Sequence, residues 1–177
     1  MDDPRHFWLT NEKGRTEFQN ALSSLFLSMT FKSQEIWWVS PWSTEFDALD
    51  NSRGDWSAVE AGWGKRNVRF SELAIKLLET GSKIRMVTRN HKGTLAFAEK
   101  LRQATAKRSG AFQHVVRDDT LHIKGLLTED FWLAGSINFT YLGTQKNHEH
   151  VVLSQDKATM VDARRRFIDA YGDWEKL

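Results

Sequence analysis

Four side chains at fixed spacing could do chemistry in this sequence: His122 and Lys124, then Ser136 and Asn138, with Gly135 just before the second pair. In a strand, residues two apart point the same way, so His122 and Lys124 are expected to project from one face while Ile123 packs on the other. Gly135 permits a tight turn after the following strand and presents Ser136 and Asn138 as hydrogen-bond donors. An imidazole, an ammonium, a hydroxyl and an amide converging on one point form a cradle for a phosphate. A phosphodiester is anionic and repels nucleophiles, so the Lys124 charge meets the first requirement of the chemistry. A neutral imidazole can then attack phosphorus and give a phosphohistidine. The leaving alkoxide needs a proton from the opposite side of an in-line displacement, so a second acid is required.

Each half of this pattern is common alone: a His-x-Lys pair usually lies on a surface, and Gly-Ser-x-Asn is usually a turn. Both halves at the ends of adjacent apolar strands are another matter. Other chemistries are poorly served. The chain has no cysteine, which removes disulfides, thiolate zinc sites and thiol nucleophiles together. His148-Glu149-His150 offers at most two ligands on one face of a strand, so neither a metal nor a cofactor is expected.

The elements that must position these groups alternate in type. Helical periodicity predicts helices over 16–30, 70–80, 94–107 and 156–171, the first with Thr16 and Gln19 at capping-box spacing. Short β-branched or aromatic runs predict strands over 35–40, 83–88, 112–116, 122–128, 131–134 and 150–153. Residues 42–64 read as an irregular loop with Trp42, Trp56 and Trp63, either a lid or a segment pinned to the core by its aromatics. The fold class is α/β, one domain over 1–177, with a mixed, largely parallel sheet and helices on both faces.

The 177 residues carry a net charge of only +2. It is unevenly distributed. Ala61 to Arg117 holds 13 Lys/Arg against 3 Asp/Glu, leaving 12 basic and 20 acidic residues elsewhere. Such a segment can attract a polyanion, or its cations can pair with acids from elsewhere. Lys65, Arg66 and Arg89 from this segment, with Trp42, are the candidate substrate-binding residues. The N-terminus is polar and begins acidic, and no apolar run approaches the ~20 residues of a membrane helix. A cytoplasmic protein without a membrane partner is expected.

His122-x-Lys124 followed by Gly135-Ser136-x-Asn138 resembles the signature of the phospholipase D superfamily. Asn147-His148-Glu149 resembles the Asn-x-Glu that follows it in the small bacterial nucleases of that group. The resemblance implies a phospholipase D-like fold, His122 as nucleophile, Lys124, Ser136 and Asn138 as phosphate ligands, and Glu149 as the group that orients a histidine. Where the family has Asp, this sequence has Glu129, with Asp130 next, as the supporting acid. Many members carry two copies of the motif, whereas one is present here, so the resemblance implies a homodimer with two His122 residues facing each other. The implied activity is metal-independent cleavage of nucleic acid, DNA ahead of RNA. A non-catalytic nucleic-acid-binding subunit of a larger bacterial defence or DNA-modification complex is the alternative. The run Trp37 to Trp42, with Leu49-Asp50-Asn51, is faintly similar to the phospholipase D-like component of clusters that modify DNA with 7-deazaguanines.

Overall fold

Ile36-Trp37-Trp38-Val39 is an unbroken apolar run because both of its faces are covered. As strand β2 (Glu35–Val39), it sends Ile36 and Trp38 into one hydrophobic core and Trp37 and Val39 into another. Trp38 stands among Phe70, Phe97 and Phe139 at ring-centroid distances of 4.4, 5.5 and 5.6 Å, and its indole nitrogen donates to Ser43 Oγ at 3.0 Å.

The computed structural model describes residues 3–107 and 110–172. Around β2 lie β1 (Arg5–Trp8), α1 (Glu12–Met29), β3 (Asp47–Asp50), β4 (Asn67–Arg69), α2 (Phe70–Glu79), β5 (Lys83–Arg89), α3 (Lys92–Ala104) and β6 (Phe112–Arg117). They are followed by β7 (Gly125–Leu127), β8 (Trp132–Gly135), α4 (Tyr141–Gln145), β9 (His150–Ser154) and α5 (Lys157–Tyr171). The main sheet has the order β1-β9-β8-β7-β2-β5-β6, and β3 pairs with β4 in a separate ribbon. Helices α1, α2 and α3 supply the core on one face, and α5 covers the other through Met160 and Phe167.

The sheet is α/β and mixed, as expected, but not largely parallel. Only β2–β5 and β5–β6 are parallel, while β2–β7, β7–β8, β8–β9 and β1–β9 are antiparallel. Crossover helices join the parallel strands, whereas the four-residue turn between β7 and β8 allows only antiparallel return, and the longer connection through α4 also brings β9 back antiparallel to β8. Strand β1 escaped the sequence reading because it is a four-residue edge strand with one buried side chain, Phe7. The first helix starts earlier than its apolar pattern, because Asn11 rather than Thr16 caps it, accepting from Gly14 N at 2.8 Å. Within the segment expected to be irregular, β3 and a 3-10 turn at Ala61–Trp63 form. Trp63 is buried, whereas Trp42 and Trp56 keep 40% and 36% of their surface exposed.

The positive segment proves partly neutralised, with six of its 13 cations paired to acids. Arg66, Arg69, Lys76, Lys83, Lys100 and Arg102 pair with Glu72, Asp47, Glu60, Glu35, Glu45 and Glu99. Arg108 lies outside the described residues.

On β6, His114 Nε2 lies 2.8 Å from Thr88 Oγ1, and burial, with Arg102 nearby, pushes its pKa from 6.5 down to about 4. The unfolded chain therefore takes up a proton at higher pH than the folded one. The stability due to neutral His114 is complete above pH 6.5 and is lost as pH falls toward about 4. Its full extent is roughly 2–3 kcal/mol after allowance for partial exposure. Urea unfolding across this range should show a steeper acid limb in the wild type than in His114→Gln. Equal slopes would mean that His114 protonates in the fold without penalty.

Candidate active site

One edge of the sheet collects the polar groups. The C-terminal ends of β2 and β5 deliver Ser40, Trp42 and Arg89, and the segment entering β7 delivers His122 and Lys124. The end of β8 and the start of β9 deliver Ser136, Asn138, Glu149 and His150. Antiparallel pairing of β7, β8 and β9 is what brings a strand entry, a strand exit and another strand entry side by side.

His122 and Lys124 precede β7 instead of lying within it, and Ile123 is 50% exposed rather than packed. The two side chains nevertheless meet. Lys124 Nζ donates to the His122 carbonyl at 2.7 Å and lies 3.4 Å from His122 Nδ1. The second contact is too long to fix the imidazole tautomer. Lys124 is only 7% exposed. Burial lowers its pKa below the usual lysine value, Glu149 opposes that shift, and the positive charge of Arg89 adds to it.

Ser136 gives its hydroxyl proton to Glu149 Oε2 and accepts from His150 N at 3.0 Å. The other Glu149 oxygen accepts from Asn147 Nδ2 at 3.2 Å. Glu149 therefore does not orient His122 within one chain: its carboxylate holds Ser136 and balances Lys124. Donation from Ser136 to a phosphate requires its bond to Glu149 to open. Gly135 makes this junction possible, because a Cβ there would overlap the His150 carbonyl oxygen of the neighbouring strand. The Ser40 hydroxyl donates to the Trp42 carbonyl at 2.7 Å and lies 3.2 Å from the Asn138 side-chain amide, which places Asn138 beside the end of β2.

Glu129 and Asp130 do not join this cluster. They occupy the β7–β8 turn at the opposite end of those strands, where both carboxylates pair with Lys32. Lys65 and Arg66 precede β4, and Arg66 is engaged by Glu72 through two hydrogen bonds at 2.8 and 2.5 Å. Arg89 and Trp42 do belong to the edge, but Arg89 acts on the protein. Its Nε donates to the Leu121 carbonyl at 2.8 Å, another nitrogen donates to the Asp119 carbonyl, and its guanidinium stacks 5.6 Å from the Trp42 ring centroid. It ties down the loop that carries His122.

The sequence reading missed Ser40 and the ring stack of Trp8 and His6 with His150. Their centroids lie 3.9 and 5.2 Å from that of His150. Ser40 had a usable signal, since ligands gather at the C-terminal ends of parallel strands. Trp8 and His6 had none, because β1 was not recognised. Among the described residues, no group of three or more His, Asp or Glu could hold a metal ion, and no helix is long and apolar enough to cross a membrane.

The family described as "Cardiolipin synthase, PLD-like domain" matches residues 66–171, more than half of the chain. No curated protein matches it in sequence. Among solved structures, NucT from Helicobacter pylori is similar at 14% identity and a TM-score of 0.54, over 94% of both chains. A phospholipase D family member, Nuc from Salmonella typhimurium, is similar at 12% identity and a TM-score of 0.62, over 94% of this chain and 92% of that one. TrmBL2, an archaeal chromatin protein whose structure shows a novel mode of DNA binding, is similar at 15% identity and a TM-score of 0.51, over 97% of this chain and 53% of that one. At these identities the likeness is one of fold.

Replacing Arg89 by Ala should raise amide hydrogen exchange across residues 118–122 and move the Lys124 pKa upward, because a neighbouring positive charge is gone. Exchange unchanged in this loop would show that Arg89 does not hold it.

Proposed function

The chain belongs to the phospholipase D-like family, and from that membership we propose that it is a metal-independent phosphodiesterase. It acts on nucleic acid, DNA ahead of RNA, through a phosphohistidine on His122, with two copies of the chain completing the site. The observation that carries this reading is the buried Lys124 ammonium, 3.4 Å from the His122 ring and balanced by Glu149.

A phosphodiester entering the edge would take the Lys124 ammonium from the His122 carbonyl and accept from the Asn138 amino group. With its charge so neutralised, phosphorus is open to the lone pair of His122 Nε2. The N–P bond forms as the bond to the leaving oxygen breaks, and an acid on the far side protonates that oxygen. Water then attacks the phosphohistidine, gives its proton to the same far-side group and releases His122. Among the described residues Lys124, not a second imidazole, is the side chain at His122, so the far-side acid is assigned to His122 of a second copy. Exposed Trp8, Ile123 and Leu142 supply apolar surface for that copy to cover. Half-exposed Trp42, stacked on Arg89, offers a ring face to a base of the strand.

Labelled single- and double-stranded DNA and RNA incubated in EDTA should be cut by the wild type. His122→Ala should lower turnover on the order of 10⁴-fold or more while leaving the unfolding midpoint near its original value. Loss of cutting in EDTA would overturn the metal-independent route. Sedimentation should show a dimer, and a monomer that still cuts would sink the shared site.

A further inference from the structure

A cleft of about 330 Å³ lies between α1, the β3–β4 ribbon and α4, away from the phosphate cradle but joined to it through α4. That helix begins three residues after Asn138. Its first turn sits so close to the Asn138 carbonyl that a Cβ at Gly143 would overlap it. Thr44 N donates to the Phe139 carbonyl at 2.9 Å, which ties the same segment to the chain entering β3. The wall of the cleft and the phosphate ligand Asn138 therefore move as one piece.

The lining is amphipathic in a specific way. Leu22, Phe46 and Leu49, buried in the core, back the cleft, and the half-exposed Tyr141 ring is its accessible apolar face. Across the mouth, Gln19 Nε2 donates to Gln145 Oε1 at 2.5 Å. This bond uses one group of each amide and leaves the Gln19 oxygen as an acceptor and the Gln145 amino group as a donor. An acceptor and a donor on one amide pair suit the mixed donor and acceptor pattern of a nucleobase edge. The two carboxylates at the rim make the cleft unsuited to phosphate. Asp47 is held by Asn67 at 3.1 Å and Arg69 at 3.4 Å, and Asp50 accepts from Ser52 N at 2.9 Å.

We propose that this cleft is a nucleobase subsite, in which one unstacked base of the substrate stacks on the Tyr141 ring and is read by the Gln19–Gln145 amide pair. The inference rests on nucleic acid as the substrate but not on the chemistry at His122. An extruded base costs a few kcal/mol of stacking, least from a single strand. Single-stranded substrates are therefore favoured over duplexes.

Guanosine, adenosine, cytidine and thymidine titrated separately into the wild-type protein, followed by ¹H–¹⁵N spectra, test it. At least one nucleoside should shift the side-chain amides of Gln19 and Gln145 saturably, and His122→Ala should bind it equally well. Gln145→Ala should weaken that binding about tenfold or more, and Tyr141→Ala, at an exposed position, should weaken it without disturbing the fold. The inference is overturned if none of the four shifts these amides up to about 10 mM, or if the shifts map to Trp42 or Trp8 instead. Nucleoside binding in a protein that never cuts would keep the subsite and reject the nuclease. Cutting with no nucleoside shift would do the reverse.

Discussion

A lysine ammonium is buried at the end of a β-strand, and the rest of the site follows from what that burial demands. Lys124 leaves water almost completely, and an unbalanced charge there would neutralise itself or unravel the strand entry. The His122 carbonyl meets one of its donors, and the Glu149 charge opposes the desolvation. Glu149 must then be buried as well, and Ser136 and Asn147 satisfy its oxygens. Ser136 can reach it only if β8 and β9 approach without a side chain between them, which is the condition that Gly135 meets. A lysine, a glutamate, a serine and a glycine are thus one constraint seen from four positions.

The scaffold carrying this constraint is rigid for a different reason. Strand β2 is packed on both faces, with Trp38 among phenylalanines on one side and Trp37 against Phe167 on the other at 5.7 Å. Truncation of such a side chain costs about 3–5 kcal/mol, because the cavity cannot collapse between two cores. Its neighbours β5 and β7 inherit that rigidity through the sheet hydrogen bonds. The reactive groups then extend from strand ends as short loops, an arrangement that fixes their origins while leaving the tips free to meet a ligand.

The parts of the fold with period or punctuation were legible in the sequence. Alternation marked β5, apolar stripes marked α2 and α5, and the spacing of His122, Lys124, Ser136 and Asn138 marked the edge where they meet. Non-local pairing was not legible. Nothing in Arg5-His6-Phe7-Trp8 announces that it pairs with residues 150–153, since an edge strand needs only one buried face. The same blindness affected charge. The cations of residues 61–117 looked like a positive surface, yet six of them meet acids that lie apart in the sequence or on the other side of a turn. Arg89 was misplaced for a related reason: its type is that of a phosphate ligand, and only the geometry shows its donors turned onto the loop before His122.

With six of the 13 cations of residues 61–117 paired to acids, the positive field of that segment is weaker than the sequence suggests. At the His122 loop the cation beside the imidazole is Lys124, while Arg89 turns its donors to backbone carbonyls. Such a site distinguishes its ligand by contact rather than by steering, because short-range donors act only once a phosphate is within hydrogen-bond distance. On the nucleic-acid reading proposed above, the exposed Trp42 ring and the amide-lined cleft beside α4 supply uncharged surfaces for the rest of the strand. The same logic bears on symmetry. A single chain brings one imidazole to one side of the phosphorus and leaves the opposite side open, so closure by a second copy would complete the chemistry and exclude water from the buried lysine in one step.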